Sequence, residues 1–508
     1  MLRKHPVFWS VVLATIPLLG WWTYGLFDLD EGFYGAVAVE MNRRGEWITP
    51  FYNGQPWFEK PILLYWLAKP CIALFGTWFG ARLPSILATV ATYSLTGWFA
   101  KRNYGTLAGV ISVLALGSSL LFIGVGRMML TDPLLDLCMA AAYFTFWESI
   151  NGQPKWRLAT AAALGFGVLA KGPIAGILFI PAAAWIYYRF PEKRPAFKSF
   201  WGLGTLLFTA IVATWYLPAY LTDGHMFVQK FLIEQNIGRF TGGDEAHTVH
   251  DPIQRLVFYI PIFLVGFAPW SVLVLLSRRK RAGDPLREDP GSNYPRNLPD
   301  KQGTIDPALN SYLWACMLTV FLFFTATSAK LVHYILPMGP PLAVLVGAYI
   351  AETRAQKSLR PTIAWLLTVA VIAEAAFYAY YHGLHLGPIN SPGFHEEVQS
   401  LALYVHDHAS PTDDVVEYRM GRQKDALPKS PVDIQETSHP STVMILNRTV
   451  TNLETWPDIL KLNHPAWIIT RWNRITSEEK QQAGPRLQQV QTPTKQDLYR
   501  LYLWSPNR

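Results

Sequence analysis

The sequence of 508 residues is poor in charged residues and in cysteine. Charged residues make up 16% of the chain, against roughly a quarter in average soluble domains. Hydrophobic residues make up 51%, and the mean hydropathy is positive, at +0.15. This composition excludes a string of ordinary soluble domains. The three cysteines, Cys71, Cys138 and Cys316, lie in apolar stretches. Their small, odd number excludes a disulfide framework and a cysteine zinc cluster, and their apolar surroundings predict small buried hydrophobic side chains.

The net charge of +8 comes from the apolar part of the chain, where basic residues lie between hydrophobic runs. Nucleic-acid-binding proteins instead gather their basic residues on one face or along one helix. Short basic loops between hydrophobic runs are typical of cytoplasmic loops of membrane proteins. The pattern therefore predicts a membrane partner and no nucleic acid.

Hydrophobic runs long enough for helical crossings recur along the first three quarters of the chain. A bilayer core of about 30 Å needs roughly 20 apolar residues in a helix. The sequence predicts about eleven or more transmembrane helices, near residues 7–27, 83–100, 105–126, 133–150, 157–170, 173–188, 200–218, 256–276, 309–328, 334–351 and 361–381.

The distribution of Lys and Arg sets the orientation. With residues 61–76 as an interfacial helix and 157–188 as a hairpin that turns at Lys171, most basic loops face the cytoplasm, as the positive-inside rule requires. The N-terminus is then cytoplasmic. Residues 382–508 have a soluble composition, with strand-like VVEYR, TVMILN, AWIIT and LYRLYLW segments. We predict a membrane domain over 1–381 and a small extracytoplasmic α/β domain over 382–508.

The predicted outer face carries charged residues beside the membrane spans. They are Asp28, Asp30, Glu31, Glu59, Lys60, Arg127, Asp132, Glu234, Arg239, His247, His250, Lys330 and His333, with Tyr334 beside them. Any one of them could be a solvated or snorkelling side chain. Cations from several loops could together hold one anion, with carboxylates beside it. Such a site suits a lipid-linked phosphate, with a carboxylate as base.

The first predicted outer loop, residues 28–82, also resembles a known family. The segment DEGFYGAVAVEMNRRGEWITPFYNGQPWFEKPILLYW is similar to that loop in the bacterial aminoarabinose lipid A transferases and their protein O-mannosyltransferase relatives, which are GT-C glycosyltransferases. FGARLPS, LTDP, LAKGP, EQNIGRF and KLVHYILP follow in the family's order. The resemblance covers about residues 1–351. It implies a GT-C fold in the inner membrane.

The resemblance also implies roles for individual residues. Asp30 matches an essential aspartate that acts as general base or organises it, and Asp132 matches a second acidic position at the site. Lys60, Arg239 and Tyr334 match groups that hold the polyprenyl phosphate, and Lys330 is a further candidate for that role. Glu59 and His247 match positions that bind a divalent metal in some members, so a metal is a possible cofactor.

The implied reaction is an inverting transfer from a polyprenyl-phosphate (undecaprenyl-phosphate) sugar to a hydroxyl or phosphate acceptor. Aminoarabinose transfer to lipid A competes with mannose or hexose transfer to a protein or glycan. A transporter or lipid flippase is an alternative of a different class. It would favour paired repeats and charges at the midplane, and neither is evident in this sequence.

Overall fold

The computed structural model describes residues 5–22, 25–200, 202–238, 249, 251–275, 306–354, 368, 372, 375, 396–420, 439–493 and 496–506. The chain divides into two compact units. The helical unit comprises Met1–Leu19, Phe58–Leu64 and Pro84–Leu384, and the α/β unit comprises Gly20–Trp57, Tyr65–Leu83 and His385–Arg508. The C-terminal segment thus shares a unit with parts of the first outer loop. The predicted boundary between residues 381 and 382 stays a prediction.

Most of the helices lie in the helical unit. Apart from Phe33–Arg44 and Leu63–Phe75, the helices up to residue 354 are, in chain order, Pro6–Thr15, Thr77–Tyr104, Thr106–Gly117, Leu120–Gly126, Asp132–Ile150, Trp156–Lys171, Ile174–Arg189, Arg194–Phe197, Leu203–Phe227, Pro252–Val257, Tyr259–Gly266, Pro307–Ala326 and Gly339–Arg354. Four 3-10 segments, Ile16–Leu18, Pro191–Lys193, Lys198–Phe200 and Val332–Met338, and the π-helical Val228–Gly238 extend or join them.

Three described helical stretches are long and apolar enough to cross a bilayer, namely Leu203–Gln235, Pro307–Ala326 and Val332–Glu352. Two bent helix pairs, Thr106–Gly117 with Leu120–Gly126 and Ile174–Arg189 with Pro191–Phe197, would bring the number to five. Among the described residues the structure thus supports a polytopic helical protein. The predicted number of about eleven spans stays a prediction. The last predicted span, 361–381, lies almost wholly outside the described residues.

Several predicted spans differ in length from the helices. The first helix ends early, because Pro17 lies in a 3-10 turn and Gly20 adopts a positive φ of 80°. The predicted span 105–126 bends by 63° at Ser118-Ser119, whose hydroxyls donate to the carbonyls of Leu114 and Ala115. Such back-bonding competes with the helical ladder. The helix predicted over 200–218 instead extends over Leu203–Phe227 with a kink at Gly224, whose φ is 48°, and the π-helical Val228–Gly238 follows it.

Two predictions about short apolar segments are confirmed at the level of secondary structure. Residues 61–76 contain the helix Leu63–Phe75, and residues 157–188 form two helices that meet at Gly172, which has a φ of 78°. The Lys69 ammonium inside Leu63–Phe75 is buried, donates to the carbonyls of Met41 and Glu46 and lies 3.9 Å from the Trp47 ring centroid. The interfacial position of this helix stays a prediction.

Glycine permits one close helix contact in the helical unit. A Cβ on Gly347 would lie 2.2 Å from Ser112 Oγ and 2.5 Å from the Ala108 carbonyl oxygen. The serine side chain can turn away, whereas the carbonyl belongs to a neighbouring helix backbone. We therefore expect Gly347→Val to lower the free energy of unfolding by about 1–3 kcal/mol, measured by thermal unfolding in detergent. Gly176→Ala is the control, because nothing lies within 4 Å of a Cβ there. Equal unfolding temperatures would contradict the prediction.

A five-stranded mixed sheet forms the C-terminal part of the α/β unit. The strands are β3 (Asp414–Tyr418), β4 (Thr451–Leu453), β5 (Ala466–Arg471), β6 (Leu487–Val490) and β7 (Tyr499–Trp504). Their order in the sheet is β4-β3-β5-β7-β6, with β3 parallel to β4 and β5, and β7 antiparallel to β5 and β6. Val416, Ile468 and Trp504 are fully buried in its core. A short hairpin in the first loop contains β1 (Phe51–Tyr52) and β2 (Gln55–Pro56).

The remaining helices of the α/β unit are Phe33–Arg44, Glu396–His408, Pro440–Leu446, Trp456–Leu460 and Ser477–Ala483, with a 3-10 turn at Gly484–Arg486. The strand predicted for TVMILN is wrong, because these residues lie in the helix Pro440–Leu446. Pro440 supports the first helical turn, and Asn447 ends the helix in the left-handed region with a φ of 50°. All seven helical residues are buried, and a short apolar run of this kind does not by itself distinguish a helix from a strand.

Glu417 in β3 makes the α/β unit sensitive to pH. Its side chain is 2% exposed, and burial raises the pKa of its carboxyl to about 7. The folded protein thus keeps a proton that the unfolded chain has lost, so stability falls as the pH rises from about 4.5 to about 7. We expect Glu417→Gln to remove this fall and to be more stable than the parent at pH 8 by up to about 3 kcal/mol.

Hydrogen exchange of β3 peptides between pH 4.5 and pH 8 measures this difference in the full-length protein. Glu478→Gln is the matched control, because Glu478 is exposed on the helix Ser477–Ala483. The same pH dependence in the parent and in Glu417→Gln would contradict the assignment.

Candidate active site

The site in the helical unit is centred on Asp132. This residue begins the helix Asp132–Ile150, and Pro133 favours helix initiation directly after it. The carboxylate therefore lies in the first helical turn, where the helix dipole favours negative charge. Its side chain is 4% exposed. Arg127, in the preceding turn, is buried and donates to the Leu19 carbonyl at 2.9 Å.

Two basic side chains lie on the Asp132 carboxylate. Lys171 Nζ is 2.5 Å from Asp132 Oδ1, and His333 Nε2 is 3.6 Å from Oδ2. Lys171 reaches this position because the helix Trp156–Lys171 ends there, at the turn of the hairpin. The Lys171 and His333 side chains are 12% and 13% exposed. The carboxylate is thus surrounded by basic groups and largely shielded from solvent.

Tyr334 and Lys60 complete the polar part of this site. The Lys171 ammonium lies 4.3 Å from the centroid of the Tyr334 ring, a cation–π geometry, and Lys60 adds a favourable electrostatic interaction with Asp132. The structure thus brings together three of the predicted site residues, Asp132, Lys60 and Tyr334.

A cavity of about 490 Å³ opens beside these groups. Glu59, Lys60, Lys171, Gln235, Thr327 and Tyr334 provide its polar lining, and Pro61, Pro173, Ile174, Ile177, Phe231, Phe323, Phe324 and Ala329 provide its apolar lining. Its volume is within the range of ordinary ligand sites. Two ammonium groups beside an apolar wall suit a ligand with an anionic head and a hydrocarbon tail.

A second cavity, of about 720 Å³, adjoins the first. It lies between the helices Ile174–Arg189 and Pro307–Ala326, and Ile177 and Phe323 line both cavities. Trp185 marks the other end of its lining and donates from Nε1 to Ser311 Oγ at 2.8 Å. From Ile174 to Trp185 the helix rises about 16 Å. The lining is mainly apolar, and Leu322 is 62% exposed on it.

Lys330 is held differently from Lys60 and Lys171. Its ammonium donates to the carbonyls of Phe324 and Thr325 at the end of the helix Pro307–Ala326, the latter at 2.8 Å. It also lies 5.0 Å from the Tyr259 ring centroid, and burial lowers its pKa to about 8. Lys330 thus caps a helix C-terminus, where a cation is favourable. A direct contact with phosphate stays a prediction.

Asp30 belongs to the α/β unit. It lies half-buried in the π-helical turn Asp28–Gly32. Its neighbour Glu31 is paired with Arg82, which donates to both Glu31 oxygens, at 2.6 and 2.7 Å, with both side chains fully buried. Arg82 comes from the FGARLPS motif. The convergence of Asp30 with Asp132 and Lys60 on one ligand stays a prediction.

Two predicted site residues, Arg239 and His247, lie outside the described residues. Glu234, five residues before Arg239, forms an ion pair with Lys230 at 2.9 Å. Among the described residues no group of three His, Cys, Asp or Glu side chains could hold a metal ion. Of the two predicted metal ligands, Glu59 lines the cavity, and one carboxylate does not make a ligand set. The metal stays a prediction.

The sequence gives Lys171 and His333 no individual role at the site. It predicts Lys171 at the turn of a hairpin and His333 among the charged residues of the outer face. Their distances from Asp132 come from the packing of the helix Asp132–Ile150 against the next helix, Trp156–Lys171, and against the 3-10 segment Val332–Met338, which is distant in sequence. The available signal was the LAKGP segment, which interrupts an apolar hairpin with a charged residue next to a break.

The chain is similar to known proteins in sequence. A family model described as dolichyl-phosphate-mannose-protein mannosyltransferase matches residues 59–217. The undecaprenyl phosphate-alpha-4-amino-4-deoxy-L-arabinose arabinosyl transferase of Edwardsiella ictaluri is 31% identical over 347 residues, which are 66% of this chain and 58% of that protein. The transferase of the same name from Pectobacterium carotovorum is 30% identical over 67% of this chain and 57% of its own length. The chain thus spans less than two thirds of these relatives.

The chain is also similar to solved structures. ArnT from Cupriavidus metallidurans, crystallised with undecaprenyl phosphate, matches with a TM-score of 0.71 and 17% identity over 98% of this chain and 97% of that one. The apo oligosaccharyltransferase of Archaeoglobus fulgidus matches with a TM-score of 0.53, 10% identity, and coverage of 95% of this chain and 71% of that one. These similarities confirm the resemblance found in the sequence: the chain is similar to the aminoarabinose transferases and, over residues 59–217, to the mannosyltransferase family model, and it has the helical fold of ArnT.

Proposed function

We propose that the protein is a membrane glycosyltransferase that moves a sugar from a polyprenyl-phosphate donor to a hydroxyl or phosphate acceptor at the outer face of the membrane. The observation that carries this proposal is the cavity of about 490 Å³ with Lys60 and Lys171 beside an apolar wall. A soluble nucleotide sugar would leave that wall uncovered, whereas a lipid phosphate covers both parts.

The adjoining cavity supports a lipid donor. Its mainly apolar lining begins at Ile177 and Phe323, which it shares with the cationic cavity, and reaches Trp185. We assign the first isoprene units of the carrier to this groove and its phosphate to the cationic end. The exposed side chains along the groove, including Leu322, would then face the lipid bilayer, from which a carrier could enter sideways.

The reaction needs little acid catalysis. The acceptor oxygen attacks the anomeric carbon, the bond from that carbon to the phosphate oxygen breaks, and the electron pair leaves with the phosphate. The leaving group is a stable anion, which Lys60, Lys171 and the Tyr334 hydroxyl stabilise. The acceptor proton passes to a carboxylate base, for which we propose Asp30. A single displacement inverts the anomeric centre.

Asp132 has a supporting role in this scheme. Its carboxylate lies 2.5 Å from the Lys171 ammonium, so we propose that it orients this ammonium and balances its charge. A charged group that is fixed before the reaction stabilises the developing phosphate charge without further reorganisation. Asp132 is thus a positioning residue, and Lys60, Lys171 and Tyr334 contact the donor.

The similar transferases suggest aminoarabinose as the sugar and lipid A as the acceptor. The match of residues 59–217 to the mannosyltransferase model favours a protein hydroxyl as the second candidate. For the location we propose the inner membrane, with the N-terminus in the cytoplasm and the C-terminal segment outside.

The test uses the full-length protein in nanodiscs with undecaprenyl-phospho-aminoarabinose and lipid A. Mass spectrometry follows free undecaprenyl phosphate and the modified acceptor. We expect both products from the parent protein, at least about a hundredfold less from Asp30→Asn, and no change for Asp407→Asn, whose carboxylate is 70% exposed. A parallel reaction contains a mannosyl donor and a serine-rich peptide. Transport of the lipid across the bilayer without product from either donor would overturn the proposal in favour of a flippase.

A further inference from the structure

A buried polar cluster links the first outer loop to the C-terminal segment within the α/β unit. His439 Nδ1 lies 3.1 Å from Asp28 Oδ2, and the backbone N–H of Ser441 donates to Asp28 Oδ1 at 2.7 Å. The Asp28 and His439 side chains are 1% and 8% exposed. The Asp28 carboxylate thus accepts a hydrogen bond at Oδ1 and has the His439 imidazole in ion-pair range at Oδ2, both from residues more than 400 positions away in the sequence.

The other side of the His439 ring is also bound. The Tyr499 hydroxyl lies 3.2 Å from His439 Nε2, and Tyr499 comes from β7 of the central sheet. The Glu417 carboxylate accepts from the His439 backbone N–H at 3.2 Å and from the Thr442 hydroxyl at 2.5 Å. Both ring nitrogens and the backbone of His439 therefore have neighbours at short range, and two of these neighbours, Tyr499 and Glu417, belong to strands of the sheet. The ring is thus held against the sheet.

Asp28 opens the π-helical turn that carries Asp30. Arg82 holds the other side of this turn through Glu31. The turn also packs tightly against the segment after His439, because a Cβ on Gly32 would lie 2.8 Å from Asp28 Oδ1 and 2.8 Å from the Ser441 nitrogen. The turn is therefore held between a buried arginine and a buried histidine.

We propose that His439 is a positioning residue, which through Asp28 fixes the turn that presents Asp30 to the acceptor. This inference rests on the proposed role of Asp30 as the base. Packing alone would not require it, because an apolar contact would join the two segments without the cost of burying charged groups. The His439 imidazole at Asp28 Oδ2 and the Ser441 N–H bond at Oδ1 instead fix the carboxylate from two sides and with it the rotation of the turn. Asp30 lies only two residues further along this turn.

The experiment compares His439→Ala, His439→Gln and the control His464→Ala, an exposed histidine of the same segment. We expect His439→Ala to lower kcat at least tenfold with the donor KM changed less than twofold. We expect His439→Gln, whose amide keeps a polar group beside Asp28, to retain more activity than His439→Ala. In the Asp30→Asn background His439→Ala should have no further effect, because the two changes act on the same step.

Hydrogen exchange of peptides covering residues 26–34 supplies a readout that does not depend on turnover. The peptides should exchange at least tenfold faster in His439→Ala than in the parent, and at the parent rate in His464→Ala. If His439→Ala does not fold, Tyr499→Phe removes only the hydroxyl partner of Nε2 and should show a smaller change of the same kind.

Unchanged exchange in residues 26–34, or a fall in kcat of the same factor with and without Asp30→Asn, would overturn the positioning role. Full activity of a folded Asp30→Asn variant would instead overturn the assignment of the base. Faster exchange in His439→Ala would then still show that His439 holds the turn. The two failures are therefore distinguishable.

Discussion

A Lys60→Ala variant is expected to bind undecaprenyl phosphate about 10- to 100-fold more weakly than the parent protein. Lys60 lines the cavity together with Lys171, and a hydrogen bond to a charged group contributes about 1.5–3 kcal/mol, which corresponds to that range of affinity. Because phosphate charge grows as the sugar bond breaks, kcat should fall as well.

The binding measurement does not need the right sugar or acceptor. Undecaprenyl phosphate raises the unfolding temperature of a protein that binds it in the folded state, so the shift should be large in the parent protein and small in Lys60→Ala. Lys60→Arg keeps the charge and should recover part of the shift. Lys461→Ala is the control, because that ammonium is 76% exposed in the C-terminal segment. An equal shift in Lys60→Ala and the parent would remove Lys60 from the donor site.

Hydropathy predicted the helices best where one helix coincides with one apolar run. The hairpin at residues 157–188 and the segment at 61–76 both form helices close to their predicted limits. Breaks inside apolar runs were harder to predict. The 63° bend at Ser118-Ser119 depends on two hydroxyls that bond back to the preceding turn, and hydropathy alone does not register such a bond.

The candidate site was only partly predictable for a related reason. Asp132, Lys60 and Tyr334 lie in motifs beside predicted spans, so the charge pattern indicated them. Lys171 became part of the site only because its helix packs against the helix Asp132–Ile150, which places the ammonium on a carboxylate 39 positions earlier. The pairing of Asp28 with His439 is a longer case of the same kind, because the two residues are more than 400 positions apart. The LAKGP segment marks Lys171 as unusual, but no local pattern predicts which carboxylate Lys171 or His439 contacts.

An Asp132→Asn variant is expected to lose at least about a hundredfold in transfer rate. The change keeps the shape of the side chain but removes the charge that faces Lys171 and His333. The Lys171 ammonium then faces a neutral amide in place of the carboxylate 2.5 Å away, and it is held less firmly over the Tyr334 ring. Removal of one partner from a buried ion pair also costs about 3–5 kcal/mol of stability, so the unfolding temperature should fall too.

A double-mutant cycle with Lys171→Met separates the two effects. In Asp132→Asn/Lys171→Met neither charge remains uncompensated, so this variant should be more stable than Asp132→Asn alone, because buried ion pairs can often be replaced by neutral groups without loss of stability. Its activity should stay as low as that of the single variants, because the donor phosphate has lost one of its cations. The unfolding temperature in detergent and the release of undecaprenyl phosphate measure the two quantities on the same samples.

The exposed pair Lys230–Glu234 provides the control cycle. Its side chains are 52% and 40% exposed, so the coupling between Glu234→Gln and Lys230→Met should be no more than about 0.5 kcal/mol. If the losses of stability in the Asp132–Lys171 cycle were additive, its coupling energy would be as small as that of the control cycle. The buried pair would then not act as a unit. Recovery of activity in the double variant would show that Lys171 does not bind the donor and that Asp132 serves only to neutralise it.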